Sequence, residues 1–481
     1  MVGRPHYRAP VAGIRMRSVL RCSFAAGLIV LAACSSTDAR RAPTPPTLLE
    51  NLSFLRGLTR DVVEAARVIP GVAVGNSPTN VTGGTLVMPG GRGGYPAFWI
   101  RDLAMSLDSG FVSPDEALHH LRLVGRCQNG PDQRPLKHGL VIPAYAIPDH
   151  INFDGTAVFY PGTYSSGEDQ GDGTYGQLPP VDDHYEFIHI AWWLWRTTGN
   201  TSFLNERIGD FTILGRLLAA FGAPEIDAAT GLVQTSGSRR AVGFGFCDAI
   251  HLEGKLLFAS LLRYRAAGEL SQMLRAQGKR EQARALDEQR RLISRGIPRV
   301  FGNKSASKGW LLAATQVGTQ PDVWGTLYAL HLGVLKGSEE KRALEVVAAA
   351  VRQGTITYEG AVRHVPKNFD SSPQSAWERT AGVAINTYQN GAYWHTPTGW
   401  LIRALRRQDS RLAQAVEDEY IVHLQKQDFR LGALAHAPWE CFGPGGYAQN
   451  GVYMTSVTVP FAVLPDGKIT NALARKLKSL Y

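Results

Sequence analysis

Apolar residues recur at helical spacing along most of the chain, and this pattern predicts a largely helical protein. The first such segment begins near residue 48, where Leu52, Leu55, Val62 and Val63 fall on one face of a helix. Later segments are alternately amphipathic and more uniformly apolar, whereas the strict alternation of a strand is scarce. We therefore expect about twelve helices, at about residues 49–69, 99–111, 114–126, 183–198, 202–221, 249–268, 270–298, 322–335, 338–353, 390–407, 409–426 and 447–463.

Twelve helices of alternating character predict an all-α fold of six helical hairpins closed into a ring, the (α/α)6 barrel. The apolar helices would line the ring, the amphipathic helices would surround it, and the loops at one end would enclose a central crevice. A two-layer helical solenoid is the competing architecture, but it requires a fixed short repeat that the sequence lacks. We expect one domain over residues 48–481 with little β-structure.

A long segment between Cys127 and Val181 interrupts the helical pattern. It is rich in Gly, Pro, Tyr and Asp and shows almost no helical periodicity. A loop of this length inside a compact domain is usually functional or disordered, and its aromatic residues favour order. We expect it to shape the pocket.

The N-terminus resembles a bacterial lipoprotein signal. Arg17 and Arg21 precede an apolar run from Phe24 to Leu31, which is too short to cross a bilayer, and a lipobox-like Leu31-Ala32-Ala33-Cys34 follows. This order predicts a cleaved signal peptide over residues 1–33, a lipidated Cys34 and a flexible tether over residues 34–47. We expect a protein attached to the cell envelope, at the outer membrane, through its lipid alone.

Charge and cysteine content exclude several classes of partner. The net charge is +10, of which the first 33 residues supply five Arg and no acid, leaving 10 − 5 = +5. Because no basic run is interleaved with aromatic residues, we expect no nucleic-acid partner. Cys127, Cys247 and Cys441 are widely spaced, which argues against a disulfide framework and a zinc site. With no nucleotide or flavin motif either, we expect no cofactor.

One acid, Asp248, lies in a stretch of aromatic and small residues ahead of a long apolar run. Walls formed by Phe244, Phe246 and Cys247 would favour its neutral form, which a general acid near neutral pH requires. The structural alternative is a helix N-cap, because Asp before an apolar helix accepts from its exposed amides.

A second isolated acid, Glu440, is the only carboxylate between Phe429 and Pro460. It lies among Trp, Phe, Pro and Gly with no local cation or helix end to serve, which makes a purely structural role less favourable. We expect it to be the general base that works with Asp248.

Three further stretches carry candidate substrate contacts. Arg101 and Asp102 offer a donor fork and an acceptor pair for adjacent hydroxyls, beside the apolar face of Trp99. A structural Arg–Asp pair is the alternative there. Asp183 at the start of a helix is a further candidate, with helix capping as its alternative, whereas Asp182 is better explained as a cap. The remaining candidates are aromatic and amide side chains, Tyr388, Asn390, Tyr393, Trp394 and Trp439, although an Asn390-Gly391 turn would explain that dipeptide alone.

Taken in order, these stretches resemble the six-hairpin glycosidase superfamily, in particular the glucoamylase, glycogen-debranching, processing α-glucosidase and trehalase branch. Phe98–Asp102 resembles its Trp-x-Arg-Asp segment, and Tyr388–Trp394 resembles its Tyr-x-Asn-Gly-x-x-Trp segment. Asp183–Phe187 is similar to an Asp-led helix start, Asp248 to the general-acid segment, and Glu440 falls where the superfamily has its base. The similarity spans residues 92–464.

The resemblance implies a single catalytic domain that removes a terminal sugar from an oligosaccharide or polysaccharide with inversion. Asp248 would protonate the leaving oxygen, and Glu440 would activate water on the opposite face. Two alternatives remain open. One is a polysaccharide lyase or unsaturated-uronyl hydrolase that uses Tyr388, Asn390 and His395, and the other is a non-catalytic glycan-binding lipoprotein. We expect a monomer.

Overall fold

The structure is a computed structural model, and it describes residues 48–302, 309–367 and 376–464. The expected signal peptide, Cys34 and the tether lie outside the described residues. In the part of the chain that is described, no helix is both long enough and apolar enough to cross a membrane.

The described residues contain twelve α-helices, in the order that the apolar periodicity predicts. They are numbered in chain order: α1 (Leu48–Ala65), α2 (Ile100–Ser106), α3 (Pro114–Cys127), α4 (Asp182–Thr198), α5 (Ile213–Gly222), α6 (Leu257–Ala276), α7 (Arg280–Phe301), α8 (Val323–His331), α9 (Gly337–Arg352), α10 (Thr398–Arg406), α11 (Ser410–Lys426) and α12 (Thr455–Val463).

The even-numbered helices form a closed inner ring. Each packs against the next, from α2 through α4, α6, α8 and α10 to α12, and α12 packs back against α2. They are buried around most of their circumference, as in α8, where only His331 has an appreciably exposed side chain. The odd-numbered helices are amphipathic and cover the outside of the ring. This arrangement is the ring of six hairpins predicted from the sequence.

The described residues also contain sixteen short strands, so the protein is not purely α-helical. They are β1 (Arg67–Val68), β2 (Leu86–Val87), β3 (Phe98–Trp99), β4 (Arg134–Pro135), β5 (Val141–Ile142), β6 (His150–Ile151), β7 (Ala157–Val158), β8 (Arg207–Ile208), β9 (Phe211–Thr212), β10 (Ile226–Asp227), β11 (Leu232–Thr235), β12 (Gly254–Lys255), β13 (Thr357–Tyr358), β14 (Ala361–Val362), β15 (Trp439–Phe442) and β16 (Ala448–Gly451). They pair antiparallel in sheets of two or three strands.

Five helices begin later than the sequence predicts. The segment from residue 202 does not start as an α-helix, because β8 and β9 pair as a hairpin and Thr212 then caps α5 through the amide of Gly215. Helix α6 begins at Leu257, since β12 first pairs with β11. Helix α10 begins at Thr398 rather than near residue 390. Helix α7 begins at Arg280 because α6 continues to Ala276, and α12 begins at Thr455, after β16.

The long segment between α3 and α4 is ordered, as its aromatic content predicts. Its residues Leu140, Ile142, Phe159 and Tyr160 form a small apolar cluster of their own. Strand β6 pairs with β3 at the entrance to α2, with His150 opposite Trp99. The segment therefore borders the end of the barrel at which the inner helices begin.

Candidate active site

A small cleft lies at the end of the barrel where the inner helices begin. It encloses about 330 Å3 of space outside the protein atoms, including its open mouth. The residues around it come from α2, the loop before α6 and β15, together with aromatic side chains. They are Pro89, Tyr95, Trp99, Arg101, Asp102, Gly245, Phe246, Asp248, Tyr388, Glu440 and Tyr453.

Asp248 borders this cleft but does not cap a helix. It follows a short 3-10 turn over Gly245–Cys247, and Leu256 precedes α6 without any side-chain cap. The amide of Gln389 fixes this turn, since it accepts from the Ala249 N–H at 2.8 Å and donates to the Gly245 carbonyl at 3.1 Å. The Oδ1 atom of Asp248 is buried without a hydrogen-bond partner. Burial raises the pKa of this carboxyl to about 7.

Glu440 faces the same cleft from strand β15 and is surrounded by hydrogen-bond donors. The Tyr95 hydroxyl lies 3.0 Å from Oε1 and 3.2 Å from Oε2, and the Asn450 side-chain amide donates to Oε2 at 2.5 Å. The Tyr388 hydroxyl lies 3.2 Å from that of Tyr95 and extends the network. Glu440 is only 2% exposed, and burial raises its pKa to about 8.

The residues that surround Glu440 also carry unusual backbone conformations. Tyr95, Tyr388 and Asn450 have φ angles of 58°, 40° and 41°, in the left-handed region that non-glycine residues seldom adopt. Such conformations cost on the order of 1–3 kcal/mol each and tend to occur at functional sites. The fold therefore retains three unfavourable backbone positions that orient side chains around one carboxylate.

The hydrogen bonds distinguish the two carboxyls more sharply than their pKa values do. Burial raises both pKa values to near neutrality, and the charge of Asp248 adds to the rise at Glu440. Glu440 receives O–H and N–H donors on its oxygens, which stabilises its charged form. Gln389 and the Ala249 N–H also lower the pKa of Asp248, but its Oδ1 has no hydrogen-bond partner. The charged form of Asp248 is therefore less fully stabilised, and its neutral form can donate a proton. The pattern suits Glu440 as a base and Asp248 as an acid.

Arg101 lies at the edge of the cleft, held by three buried aspartates. Its Nε donates to Asp182 at 2.9 Å, and its Nη2 donates to Asp149 at 2.7 Å and to Asp183 at 2.5 Å. Gly245 packs directly on the guanidinium, so that a Cβ at this position would overlap Arg101. Asp182 and Asp183 do not cap α4, whose N-cap is Val181; their structural role is to bind Arg101.

Asp102 and Trp99, which flank Arg101 in the sequence, also line the cleft. The Tyr453 hydroxyl donates to Asp102 Oδ1 at 2.8 Å, and burial raises the pKa of Asp102 to about 7. Trp99 stacks on the imidazole of His150 at 4.3 Å, with Tyr95 against its edge at 5.2 Å. The cleft thus combines an oriented carboxyl with a fixed aromatic face.

Comparison with solved structures identifies the fold. The GH63 mannosylglycerate hydrolase from Thermus thermophilus, solved in complex with glucose, aligns with a TM-score of 0.52 and 15% identity over 85% of this chain and 99% of that chain. The chain shares its (α/α)6 glycosidase fold. An uncharacterized conserved protein of the same organism aligns equally well, with a TM-score of 0.52 and 14% identity over 85% of this chain and 99% of that one.

A third solved structure is less similar to this chain. The GH78 family rhamnosidase of Bacillus sp. GL1 aligns with a TM-score of 0.48 and 14% identity over 86% of this chain and 34% of that chain. No protein-family sequence model matches this chain, and no curated protein sequence matches it.

Five of the predicted site residues lie outside the cleft lining, and one of them is Asp183, which binds Arg101. The Asn390 amide accepts from the Trp377 N–H and donates to the Val383 carbonyl, as a turn-forming residue would. Trp394 is fully buried, with its ring against Phe246. The other two lie farther along the same loops: Tyr393 packs beside Tyr358, and Trp439 donates its indole N–H to Gln427.

Four residues of the site were not predicted from the sequence. Tyr95 and Tyr453 line the cleft, whereas Asn450 and Asp149 bind Glu440 and Arg101. Tyr95 has a weak local signal, because it follows Gly93-Gly94 directly before the Trp99 segment. The others come from segments whose positions depend on distant strand pairing. No cluster of His, Cys, Asp and Glu among the described residues is arranged to hold a metal ion.

Cys247 has a partner that its sequence neighbours do not reveal. Its Sγ lies 3.5 Å from Nδ1 of His364, which comes from the segment after β14. Burial raises the pKa of the Cys247 thiol well above its ordinary value and lowers that of His364 to about 3. Both groups therefore stay neutral, which disfavours Cys247 as a nucleophile.

Proposed function

We propose that this protein is an exo-acting glycoside hydrolase that inverts the anomeric centre, with Asp248 as general acid and Glu440 as general base. One observation carries the proposal. Three carboxyls with pKa values raised by burial face one small aromatic cleft. Asp102 is bonded to Tyr453, Glu440 accepts from Tyr95 and Asn450, and Asp248 has an oxygen without a hydrogen-bond partner. Paired carboxyls on either side of a glycosidic bond are the common apparatus of glycoside hydrolysis.

Hydrolysis of the glycosidic bond requires only these two carboxyl groups and one water molecule. The glycosidic oxygen takes the proton of Asp248 as its bond to the anomeric carbon breaks. The water oxygen bonds to that carbon from the opposite face while Glu440 takes the proton that the water releases. Asp248 is then ionised and Glu440 protonated, and exchange with solvent restores both. Tyr95 and Asn450 position Glu440 throughout.

The size and lining of the cleft support an exo-acting enzyme with a neutral sugar. A small cleft lined by eleven residues suits a single terminal residue better than an extended chain. Asp102 would accept from a sugar hydroxyl, and Trp99 would contact the ring face. Among the described residues that line the cleft, Arg101 is the only base, and three aspartates already neutralise it. The site offers little attraction to a uronate or another sugar acid.

The same geometry disfavours the lyase alternative. Of its three candidate residues, Tyr388 alone lines the cleft. His395 is fully buried and bonded to His423 at 2.9 Å, and burial lowers its pKa well below the ordinary value. Neither it nor Asn390 is placed to act on a sugar acid in the cleft. A non-catalytic glycan-binding protein remains as an outcome of the test below.

The test is a screen of neutral oligosaccharides for release of a monosaccharide. We expect the wild-type protein to release a terminal sugar from at least one of them, and Asp248→Asn and Glu440→Gln each to lower kcat by more than about 10³-fold. Glu417→Gln is the matched control, because Glu417 is equally buried but bonds Arg406 away from the cleft. Binding without product release, or full activity in either cleft variant, would refute the assignment.

The two roles separate when the leaving group changes. An aryl glycoside with a good leaving group needs little protonation, so Asp248→Asn should regain much of its rate on that substrate. Glu440→Gln should not, because activation of water is still required. Equal rates for both variants on the aryl glycoside would contradict the assignment of acid and base.

We also propose that Cys34 carries the lipid that attaches a monomeric enzyme to the bacterial cell envelope, at the outer membrane, with residues 34–47 as a tether. The lipobox-like order Leu31-Ala32-Ala33-Cys34 supports this proposal. Cys34→Ala should abolish labelling with a radioactive fatty acid. Unchanged labelling in that variant would refute the attachment site.

A further inference from the structure

A second, larger cavity lies inside the inner ring, nearer the ends of the helices away from the cleft. It measures about 1040 Å3 including its open mouth. An aromatic layer separates it from the cleft. Phe246 lines the cleft and packs against Phe244 at 5.3 Å, and Phe244 stacks at 3.7 Å on Phe258, which lines the second cavity.

The second cavity has aromatic walls on several inner helices. Trp192 comes from α4, Phe258 from α6, Tyr328 from α8 and Trp400 from α10. Phe258 and Tyr328 stack on each other at 5.1 Å, and Trp192 is partly exposed near the mouth. Flat aromatic faces at the border of an open cavity are surfaces on which the C–H face of a sugar ring can pack.

Two buried carboxylates in this cavity have an oxygen without a partner. Arg265 donates to Glu186 Oε2 at 2.6 Å and to the Tyr328 hydroxyl at 2.9 Å, and His189 Nδ1 lies 2.6 Å from Glu269 Oε1. Oε1 of Glu186 and Oε2 of Glu269 have no hydrogen-bond partner, although both residues are at least nine-tenths buried. Two nitrogens of the lining, Arg265 Nε and His331 Nδ1, are also buried without a hydrogen-bond partner. The unsatisfied atoms thus include both acceptors and a donor, so the complementary ligand carries groups that donate and accept, as sugar hydroxyls do.

The charges in the cavity favour a neutral donor over a cation. Arg265 offsets Glu186. His189 offsets Glu269. Burial lowers the pKa of His189, but the neighbouring charge of Glu269 outweighs burial, so the pKa of His189 is raised. At the mouth, Asp108 and Arg290 carry opposite charges. With its charges balanced, the cavity has no excess of carboxylates to hold an ammonium group.

From the aromatic walls, the buried polar atoms without partners and the balanced charge, we infer that this cavity is a second, non-catalytic binding site for a neutral sugar. The site is independent of the proposed hydrolysis, since no residue lines both cavities.

The test is 19F NMR of the full protein labelled with 5-fluorotryptophan and titrated with D-glucose and with trehalose. Trp192 and Trp99 report on the two cavities separately, and Trp195, on the same helix as Trp192 but outside the cavity, is the reference. We expect a saturable shift of the Trp192 resonance with a midpoint of about 1–20 mM. The Trp192 resonance should still shift in the Glu440→Gln protein, whether or not the cleft binds sugar.

Variants of the cavity complete the test. Glu269→Gln should raise the sugar concentration at the midpoint of the Trp192 shift at least about fivefold, because one acceptor is lost. Glu417→Gln should leave this midpoint unchanged. Ala462→Phe, which adds a ring at the partly exposed mouth without removing a buried contact, should also raise it. No Trp192 shift up to about 0.2 M sugar, a shift with tetramethylammonium instead, or equal midpoints in all variants would overturn the inference.

Discussion

Replacement of Tyr95 by Phe isolates one hydroxyl group that touches the proposed base. The hydroxyl lies 3.0 Å and 3.2 Å from the two oxygens of Glu440, and Phe keeps the ring that packs on Trp99. A donor to a carboxylate stabilises the charged form, so its loss raises the pKa of Glu440. The proposed base would then ionise only at higher pH.

The size of this effect follows from the burial of the pair. A hydrogen bond to a charged group is worth about 1.5–3 kcal/mol, and Glu440 is only 2% exposed, so water cannot readily replace the donor. At 1.36 kcal/mol for each pKa unit, the pKa of Glu440 should rise by about 1–2 units. From its value of about 8, it would move to about 9–10.

The assay is the pH dependence of kcat/KM, which reports the ionisations of the free enzyme. In Tyr95→Phe the acidic limb should shift upward by about 1–2 units, so that the rate on that limb falls about 10- to 100-fold. Tyr164→Phe is the control, because Tyr164 borders Trp99 but has no hydrogen bond to Glu440. An unshifted limb in Tyr95→Phe, or the same shift in both variants, would refute the role of Glu440 as a base positioned by Tyr95.

Three other substitutions test the electrostatics of the cleft. The pKa of Asp248 rises on folding from 3.8 to about 7, so this carboxyl stabilises the fold below its unfolded pKa and loses that contribution as pH rises through about 7. In urea unfolding, Asp248→Asn should therefore be about 1–3 kcal/mol more stable than wild type at pH 8, an advantage that vanishes near pH 4. Arg101→Lys should lower the free energy of unfolding by more than about 2 kcal/mol, because an ammonium cannot serve three carboxylates as a guanidinium fork does, and a smaller loss would contradict that role. Cys247→Ser should retain activity within about threefold, and the wild-type thiol should react slowly with disulfide reagents at pH 8, whereas rapid reaction would show an ionised thiolate.

The apolar periodicity predicts the barrel because inner and outer helices bury different fractions of their surface. A helix such as α8 is apolar all round, whereas α7 has one apolar stripe, and this contrast is visible in one sequence. The periodicity does not predict the short strands, since their pairing joins distant segments. Residues 207–212 form a hairpin that the apolar pattern of the surrounding segment conceals.

The candidate site was predicted in part for a similar reason. Asp248 and Glu440 stand out in the sequence as isolated acids among aromatic residues. Both line the cleft, together with Trp99 and Asp102. The partners of Arg101 lie 48, 81 and 82 residues away along the chain, so local spacing could not reveal that its guanidinium is held by three aspartates.

The donors to Glu440 depend on equally distant placements. Tyr95 lies 345 residues before it, and Asn450 reaches it across the β15–β16 hairpin. Asn390 and Trp394 have the residue types of a sugar-binding surface, but their turn and their burial place them outside the cleft lining.

The most direct test of the central claim is a 1H NMR time course of one cleaved oligosaccharide, followed from the first turnover before mutarotation mixes the anomers. With Asp248 as acid and Glu440 as base, the released sugar should appear first as the anomer opposite to that of the bond cleaved, and Glu440→Gln should release none. Release of the same anomer, or release by Glu440→Gln at the wild-type rate, would contradict the account.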